Sequence, residues 1–326
     1  MKLKILFAGF RHGHINVLYE KVRESELCVI AGCFEENEEA RIEAEKNLGA
    51  VFHNKTYEEW LKSDIDAVAI GDAYGKRGKL VIKALKAGKH VITDKPVCTE
   101  KCELEEIKSL CLKNNLKLSC MLDLRYLPQV KKAEELLKNG ELGEICNVAF
   151  NGQHYINYEH RPKWYFEEGM HGGTINDLAI HGIDLVRLLS GMEIDKVDAA
   201  RVWNSYAYKN KDFKDCALFM ARLSNGAGIL ADVSYSAPSQ AFSLPTYWEF
   251  RFWCKNGMMS FCINDSEITV YKEGESEPLI IKTTQNEEDY LTEFIRAIEE
   301  NDNSVTQSVI KSTETALHLQ SVAVSE

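Results

Sequence analysis

Short, mostly apolar runs alternate with amphipathic stretches through the first 120 residues, and this alternation leaves few folds open. The runs are Lys4–Ala8, Cys28–Phe34, Ala67–Ile70, His90–Thr93 and Leu116–Met121. A strand buried on both faces reads this way, and helical patterns between such strands mark βαβ units around a parallel sheet. Leu80, Val81, Ala84 and Leu85 form one helical stripe, closed by Gly88, and Leu104, Ile107, Leu110 and Cys111 form another. Right-handed crossovers bring the carboxyl ends of all strands to one edge, where ligands of such sheets bind. Residues 1–121 therefore read as an α/β domain, a doubly wound parallel sheet of the Rossmann type.

Residues 122–326 have a different texture. A helix over Gln129–Asn139 leads to a strand at Ile145–Phe150, an aromatic and polar loop, and a helix over Thr174–Ser190 closed by Gly191. From Val197 to Thr284 the pattern is of strands broken by turn signals at Asn225-Gly226, Lys255-Asn256-Gly257, Asn264-Asp265 and Glu273-Gly274. Two helices close the chain, one carrying Leu291, Phe294, Ile295 and Ile298 and one starting near Ser308. This half is expected to be an α+β substrate-binding domain with an open, mostly antiparallel sheet.

Charge and cysteine usage narrow the function. A net charge of −11 supplies no basic stripe for phosphates, so no nucleic-acid partner is expected. No apolar run reaches the roughly 18 residues of a membrane span, and Leu3–Ala8 is too short for a signal-peptide core. The ten cysteines are scattered, and Cys98/Cys102 has no second pair at metal-ligand spacing. Reduced thiols, a cytoplasmic location and no metal are the expectation.

Where the first strand meets the first helix, the chain reads Gly9-Phe10-Arg11-His12-Gly13-His14. A dinucleotide fingerprint wants three glycines here, for the tight turn and for close approach of backbone N–H groups to the pyrophosphate. Only Gly9 and Gly13 are present, and Arg11 and His12 offer side-chain donors to phosphate instead. Glu35 closes the second run, 22 positions beyond Gly13, where an acid holds adenosine ribose hydroxyls and repels a 2′-phosphate. NAD is therefore expected, with NADP the lesser candidate. Glu35 also has a plainer reading, as the solvated start of a helix that favours acids in its first turn.

Two further segments carry chemistry. The run His90–Thr93 passes directly into Asp94-Lys95-Pro96, so Lys95 projects from a strand end on the ligand edge. A lysine there orients or protonates a substrate oxygen, and its pKa responds readily to desolvation. In Gly172–Asp184, Asp177 and His181 stand at i and i+4 with Asp184 at i+7, on one helix face. Ile175, Leu178, Gly182, Leu185 and Leu189 form an opposite stripe suited to packing on a sheet. A buried, satisfied His–Asp pair is the alternative reading of that polar face.

Together these segments resemble the glucose-fructose oxidoreductase, inositol dehydrogenase and rhizopine catabolism (Gfo/Idh/MocA) family. Gly88–Pro96 is similar to the family's strand plus Glu-Lys-Pro motif. Gly172–Asp184 is similar to its Gly-Gly-x-x-x-Asp-x-x-x-His helix, and Leu137–Gly143 fits the approach to the second domain's first strand. The resemblance implies hydride exchange between a nicotinamide and a secondary alcohol of a sugar, cyclitol or related polyol, in a homodimer or homotetramer. It places Lys95, Asp177 and His181 on catalytic positions, with His181 as acid/base. It places Gly9, Phe10, Arg11, His12, Gly13, Glu35, Asp72, Asp94 and Lys95 around the cofactor. Three departures stand out: the depleted glycine loop, Asp94 in place of glutamate, and Ile70-Gly71-Asp72-Ala73-Tyr74 where the family has Thr-Pro after its third strand.

The loop His154–Phe166 mixes aromatics with Arg, His and Asn, which suits a polyhydroxylated ring. Arg161, Trp164, Tyr165 and His171 are the substrate candidates beside Asp177 and His181, with Arg125 and Tyr126 at the end of a Rossmann strand. Two other classes stay open: a redox-neutral glycoside hydrolase or lyase that retains NAD, and a non-catalytic NAD- and sugar-binding sensor. A His171/Asp177/His181 metal site is a minor variant of the first.

Overall fold

In the computed structural model, residues 2–284 and 288–325 are described. They form two compact units. The first comprises Met1–Leu122, Pro162–Gly172 and Glu288–Glu314, and the second Asp123–Arg161, Gly173–Glu287 and Thr315–Glu326. The first unit's opening segment ends at Leu122, and two later segments return to that unit.

The first unit is built on β1 (Leu3–Ala8), β2 (Cys28–Phe34), β3 (Ala67–Ile70), β4 (His90–Thr93) and β5 (Leu118–Cys120), all parallel in the order β2-β1-β3-β4-β5. The strand β5 is shorter than the Leu116–Met121 run from which it was read. Ile5 to Ala8 and Ala67 to Ile70 are completely buried, as strands covered on both faces must be. The crossovers are α1 (His14–Glu24), α2 (Glu38–Leu48) with the short α3 (Tyr57–Leu61), α4 (Tyr74–Lys86) and α5 (Lys101–Asn114). Helix α1 buries Ile15, Leu18, Tyr19 and Val22, spaced three, one and three apart along one stripe. Asn37 caps α2 by accepting from Ala40 N at 2.9 Å, with Glu38 and Glu39 in the first turn, so the acids after Glu35 do start a helix.

The second unit holds α6 (Pro128–Lys138), β6 (Ile145–Gln153), α7 (Ile180–Ser190) and strands β7 (Ile194–Trp203), β8 (Cys216–Leu223), β9 (Gly228–Ser234), β10 (Glu249–Cys254), β11 (Gly257–Cys262), β12 (Glu267–Lys272), β13 (Leu279–Lys282) and β14 (Val324–Ser325). They form one sheet in the order β13-β12-β11-β10-β6-β9-β8-β7-β14. Pairing is antiparallel except for β6 with β9 and β7 with β14, so the sheet is mixed and mostly antiparallel. In β8, residues alternate between buried and exposed from Ala217 on, the signature of a sheet with one covered face.

One element differs from its sequence reading. The helix expected over Thr174–Ser190 is not one α-helix: Ile175–Ala179 is wound as a π-turn and only Ile180–Ser190 is α-helical. The chain enters this turn from Gly172 and Gly173, whose φ of +76° and +96° are open to glycine at no steric cost. Such wide turns collect at functional positions. Downstream, Gly182 lies flat on Phe150 of β6, where a Cβ would strike the ring.

Two helices close the chain, α8 (Tyr290–Glu299) and α9 (Ser304–Val322), the second beginning four residues ahead of its expected start. Asp289 and Thr292 form a capping box on α8, and Lys21 of α1 reaches Asp289 at 2.6 Å within the first unit. In the same unit Lys117 is fastened to Asn115, Asn301 and Asn303 by its ammonium at 3.1, 2.9 and 2.5 Å. Among the described residues no helix is long and apolar enough to cross a membrane.

Candidate functional site

The carboxyl edge of the first sheet carries the nucleotide loop. Gly9 has φ +84°, and a Cβ there would sit 2.6 Å from that of Asp72, so backbone alone fits between β1 and the β3 end. The next amide, Phe10 N, donates to Glu35 Oε2 at 2.5 Å, and Asn37 N donates to Oε1 at 2.7 Å. Burial pushes the Glu35 carboxyl above its ordinary range, and those two N–H groups pull against it. Glu35 borders a cavity of about 410 Å3 that is also lined by Phe34, Arg41, His53, Asn54 and Lys55. A glycine-only turn with an acid at the mouth of an adjacent cavity fits the adenosine half of a dinucleotide. Gly13 stands at the N-cap of α1, and Arg11 lies 3.8 Å from Asp72.

Beside that loop is a buried polar cluster. Asp94, at the end of β4, has no solvent exposure and accepts from Arg77 Nη2 at 2.7 Å, from His12 Nδ1 and from His14 Nδ1 at 3.2 Å. Arg77 of α4 also binds the Lys95 carbonyl, the Pro96 carbonyl at 3.2 Å and the Asp72 carbonyl at 2.7 Å. One guanidinium therefore fixes the whole Asp-Lys-Pro turn, whose Lys95–Pro96 bond is cis. Burial alone would raise Asp94, but the Arg77 charge together with the His12 and His14 contacts outweighs it and holds the carboxyl well below the usual carboxylate range. Burial lowers His12 to about 3, so its imidazole is neutral.

An ionised Asp94 only accepts, so His12 donates from Nδ1 and its Nε2 is an acceptor. Tyr74 OH lies 3.0 Å from Nε2 and 2.5 Å from Tyr165 OH. Trp164 and His171 pack on the same rings, and Trp164 Nε1 donates to the Arg11 carbonyl at 3.1 Å. Lys95 Nζ lies 5.8 Å from the Tyr74 ring centroid. Of the residues expected near substrate, Trp164, Tyr165 and His171 thus belong to this unit, the first two against His12 and His171 against Tyr74 and Tyr165. His12, His14 and Asp94 bring ligand atoms within 4.8 Å of one another, but Arg77 already neutralises the carboxylate a cation would need.

In the second unit the motif helix is buried throughout. Asp177, in the π-turn, accepts from Tyr235 OH. His181, one turn on, packs edge-on against Trp248 at 5.5 Å and has Asp123 3.8 Å from its Nδ1. Asp184 is held by Arg125 through two bonds of 2.5 Å, a bidentate pair. Arg161 donates to the Ile156 and Tyr155 carbonyls at 2.8 and 3.0 Å and lies over the Tyr235 ring. Lys131 lies over the ring of Tyr126. The three acidic and imidazole side chains of one predicted face therefore turn to three different partners. Tyr235, Trp248 and Arg77 were missed: none stands in a motif, and only their long-range partners mark them.

Comparison with known proteins agrees with this architecture. Residues 3–121 match the oxidoreductase family, NAD-binding Rossmann fold, and residues 130–260 match the GFO/IDH/MocA C-terminal domain. The myo-inositol 2-dehydrogenase of Thermotoga maritima is 24% identical over 66% of this chain and 64% of its own length. The chain spans about half the length of the first curated relatives it matches. Among solved structures, one from Erwinia carotovora atroseptica superposes with a TM-score of 0.88 at 19% identity, covering 99% of both chains. A levoglucosan dehydrogenase in complex with NADH and levoglucosan superposes at 0.82 and 19% identity, covering 99% of this chain and 96% of that one. With both family models matched in order along the sequence and the fold reproduced over its full length, the chain belongs to the Gfo/Idh/MocA oxidoreductases.

Proposed function

We propose that this protein is an NAD-dependent dehydrogenase that exchanges a hydride with a secondary alcohol of a sugar, cyclitol or related polyol. The observation that carries the reading is Lys95, buried at the end of β4 on the nucleotide edge, with its backbone clamped by Arg77. Nicotinamide, when bound, supplies the hydride acceptor. Glu35 holds the ribose hydroxyls and disfavours a 2′-phosphate, while Gly9 lets the backbone approach the pyrophosphate. Lys95 hydrogen-bonds the reacting oxygen and stabilises charge developing on it. His181 takes the alcohol proton, since an imidazole changes charge near neutral pH, and Asp177 orients it or the substrate.

Mass spectrometry of nucleotide released from denatured protein, followed by a turnover screen of polyols with NAD and NADP, tests this reading. NAD reduction by a polyol is expected, and Lys95→Ala or His181→Ala should each lower turnover about 100- to 10,000-fold with NAD still bound. Full turnover in both variants would discard the assignment. A redox-neutral reading, in which retained NAD is reduced and then re-oxidised within one turnover, is favoured by Trp164 bonding across the nucleotide loop at Arg11. Stoichiometric NAD in purified protein without net reduction would select it.

A further inference from the structure

The three departures from the family pattern meet in one place. His12 lies in the loop depleted of glycine, Tyr74 follows the segment that lacks Thr-Pro, and Asp94 stands where glutamate is usual. These three side chains are bonded in series, Asp94 to His12 Nδ1 and His12 Nε2 to Tyr74 OH, across 82 and 62 positions of sequence. The shorter acid at position 94 meets an imidazole that the depleted loop supplies. We propose that Asp94, His12 and Tyr74 form a positioning array for Lys95, in which His12 fixes the Tyr74 hydroxyl and so the ring face on which the Lys95 ammonium lies. This rests on the dehydrogenase reading for Lys95.

Geometry and charge support the array in the same direction. Asp94 carries Arg77 on one oxygen and His14 on the other, so His12 Nδ1 meets an anion that cannot turn away. His12 has one remaining nitrogen, and two phenols point at it, Tyr74 at 3.0 Å and Tyr165 at 3.4 Å. With Nε2 accepting from the nearer phenol, Tyr74, the Tyr74 oxygen is left to accept from Tyr165. Lys95 lies over the Tyr74 ring at 5.8 Å, within cation–π range. His12 bears on Lys95 at one remove. It acts through Tyr74.

Two measurements test this, one independent of turnover. Long-range 1H–15N spectra of histidine-labelled protein should show His12 as the neutral Nδ1–H form from pH 5 to 8, with its Nε2 signal shifted by Tyr74→Phe. The Nε2–H form, or a titration within that range, overturns the array. In turnover assays, His12→Asn keeps a donor to Asp94 but loses the acceptor for Tyr74, whereas His12→Gln keeps that acceptor. His12→Asn and Tyr74→Phe should each lower kcat about tenfold, and the double variant should be no worse than either single one. His12→Gln should recover most of the loss, which a merely structural histidine would not show. Wild-type kcat in His12→Asn, or multiplying losses in the double variant, would refute the proposal. Lys95→Ala, assayed alongside, separates the two ideas: full turnover there removes the catalytic role of Lys95, while the tautomer result still judges the array.

Discussion

Asp94 and Arg77 are both without solvent exposure, and each makes the other affordable. Arg77→Met would leave an anion buried with only imidazole donors, at a cost of about 3–5 kcal/mol, read as a lowered urea midpoint. His12 makes a separate, pH-dependent contribution. Burial sets its folded pKa at about 3 against 6.5 for the free side chain, so the unfolded chain binds a proton the folded one does not. The stability tied to its neutral form is fully present above pH 6.5 and is lost as pH falls towards 3. Denaturation at pH 7 and pH 4.5 should show His12→Asn losing less stability on acidification than wild type, and parallel losses would show that His12 is not the titrating group. Glu35→Ala should weaken NAD about tenfold and NADP less, by isothermal titration; an unchanged preference would reduce Glu35 to a cap for Phe10 N and Asn37 N. Glu35 and Lys95 were legible because a strand end can be found from local apolar runs. The His12–Asp94–Tyr74 series was not, because its members are far apart in sequence and each looked like a separate lapse from a motif.

At the scale of elements, the apolar runs located β1 to β4 to within a residue because both faces of a parallel sheet are covered and the runs have nothing polar to interrupt them. The motif helix was legible in place but not in winding. Helical periodicity predicts that Asp177, His181 and Asp184 share a face, and the π-turn over Ile175–Ala179 breaks that register. Neither the double glycine nor the hydrophobic stripe distinguishes a π-turn from the α-helix it precedes, since both bury Leu178 and Ile183. Gly182 is the position where this helix depends most on a missing side chain. A Cβ there strikes the Phe150 ring, so Gly182→Ala should destabilise by about 1–3 kcal/mol. Adding Phe150→Leu should return part of that loss in thermal melts. Equal melting temperatures for wild type and Gly182→Ala would mean that the helix and β6 are farther apart than described.

Over the whole molecule, the ten cysteines report separately on the two units, because all are free thiols and most are buried. Cys28, Cys33, Cys98, Cys111 and Cys120 lie in the core of the first unit, and Cys216 and Cys262 in that of the second. Burial pushes the thiols of Cys33, Cys111 and Cys216 up to about 12, so they react only when their surroundings open. In the folded protein, Cys102 and Cys146 are exposed and should label first. A ligand held by the first unit stabilises only the states in which that unit is folded, by about 2.7 kcal/mol at one hundred times its Kd. Saturating NAD should therefore slow labelling of Cys33, Cys98 and Cys111 in moderate urea by about 100-fold. Labelling of Cys216 and Cys262 should keep its rate if the second unit opens on its own. Mass spectrometry of the alkylated peptides reads both sets in one experiment. Equal protection of all seven buried thiols would mean that the units open as one cooperative block, and no protection of the first set would mean that NAD is not held by the edge that carries Gly9 and Glu35.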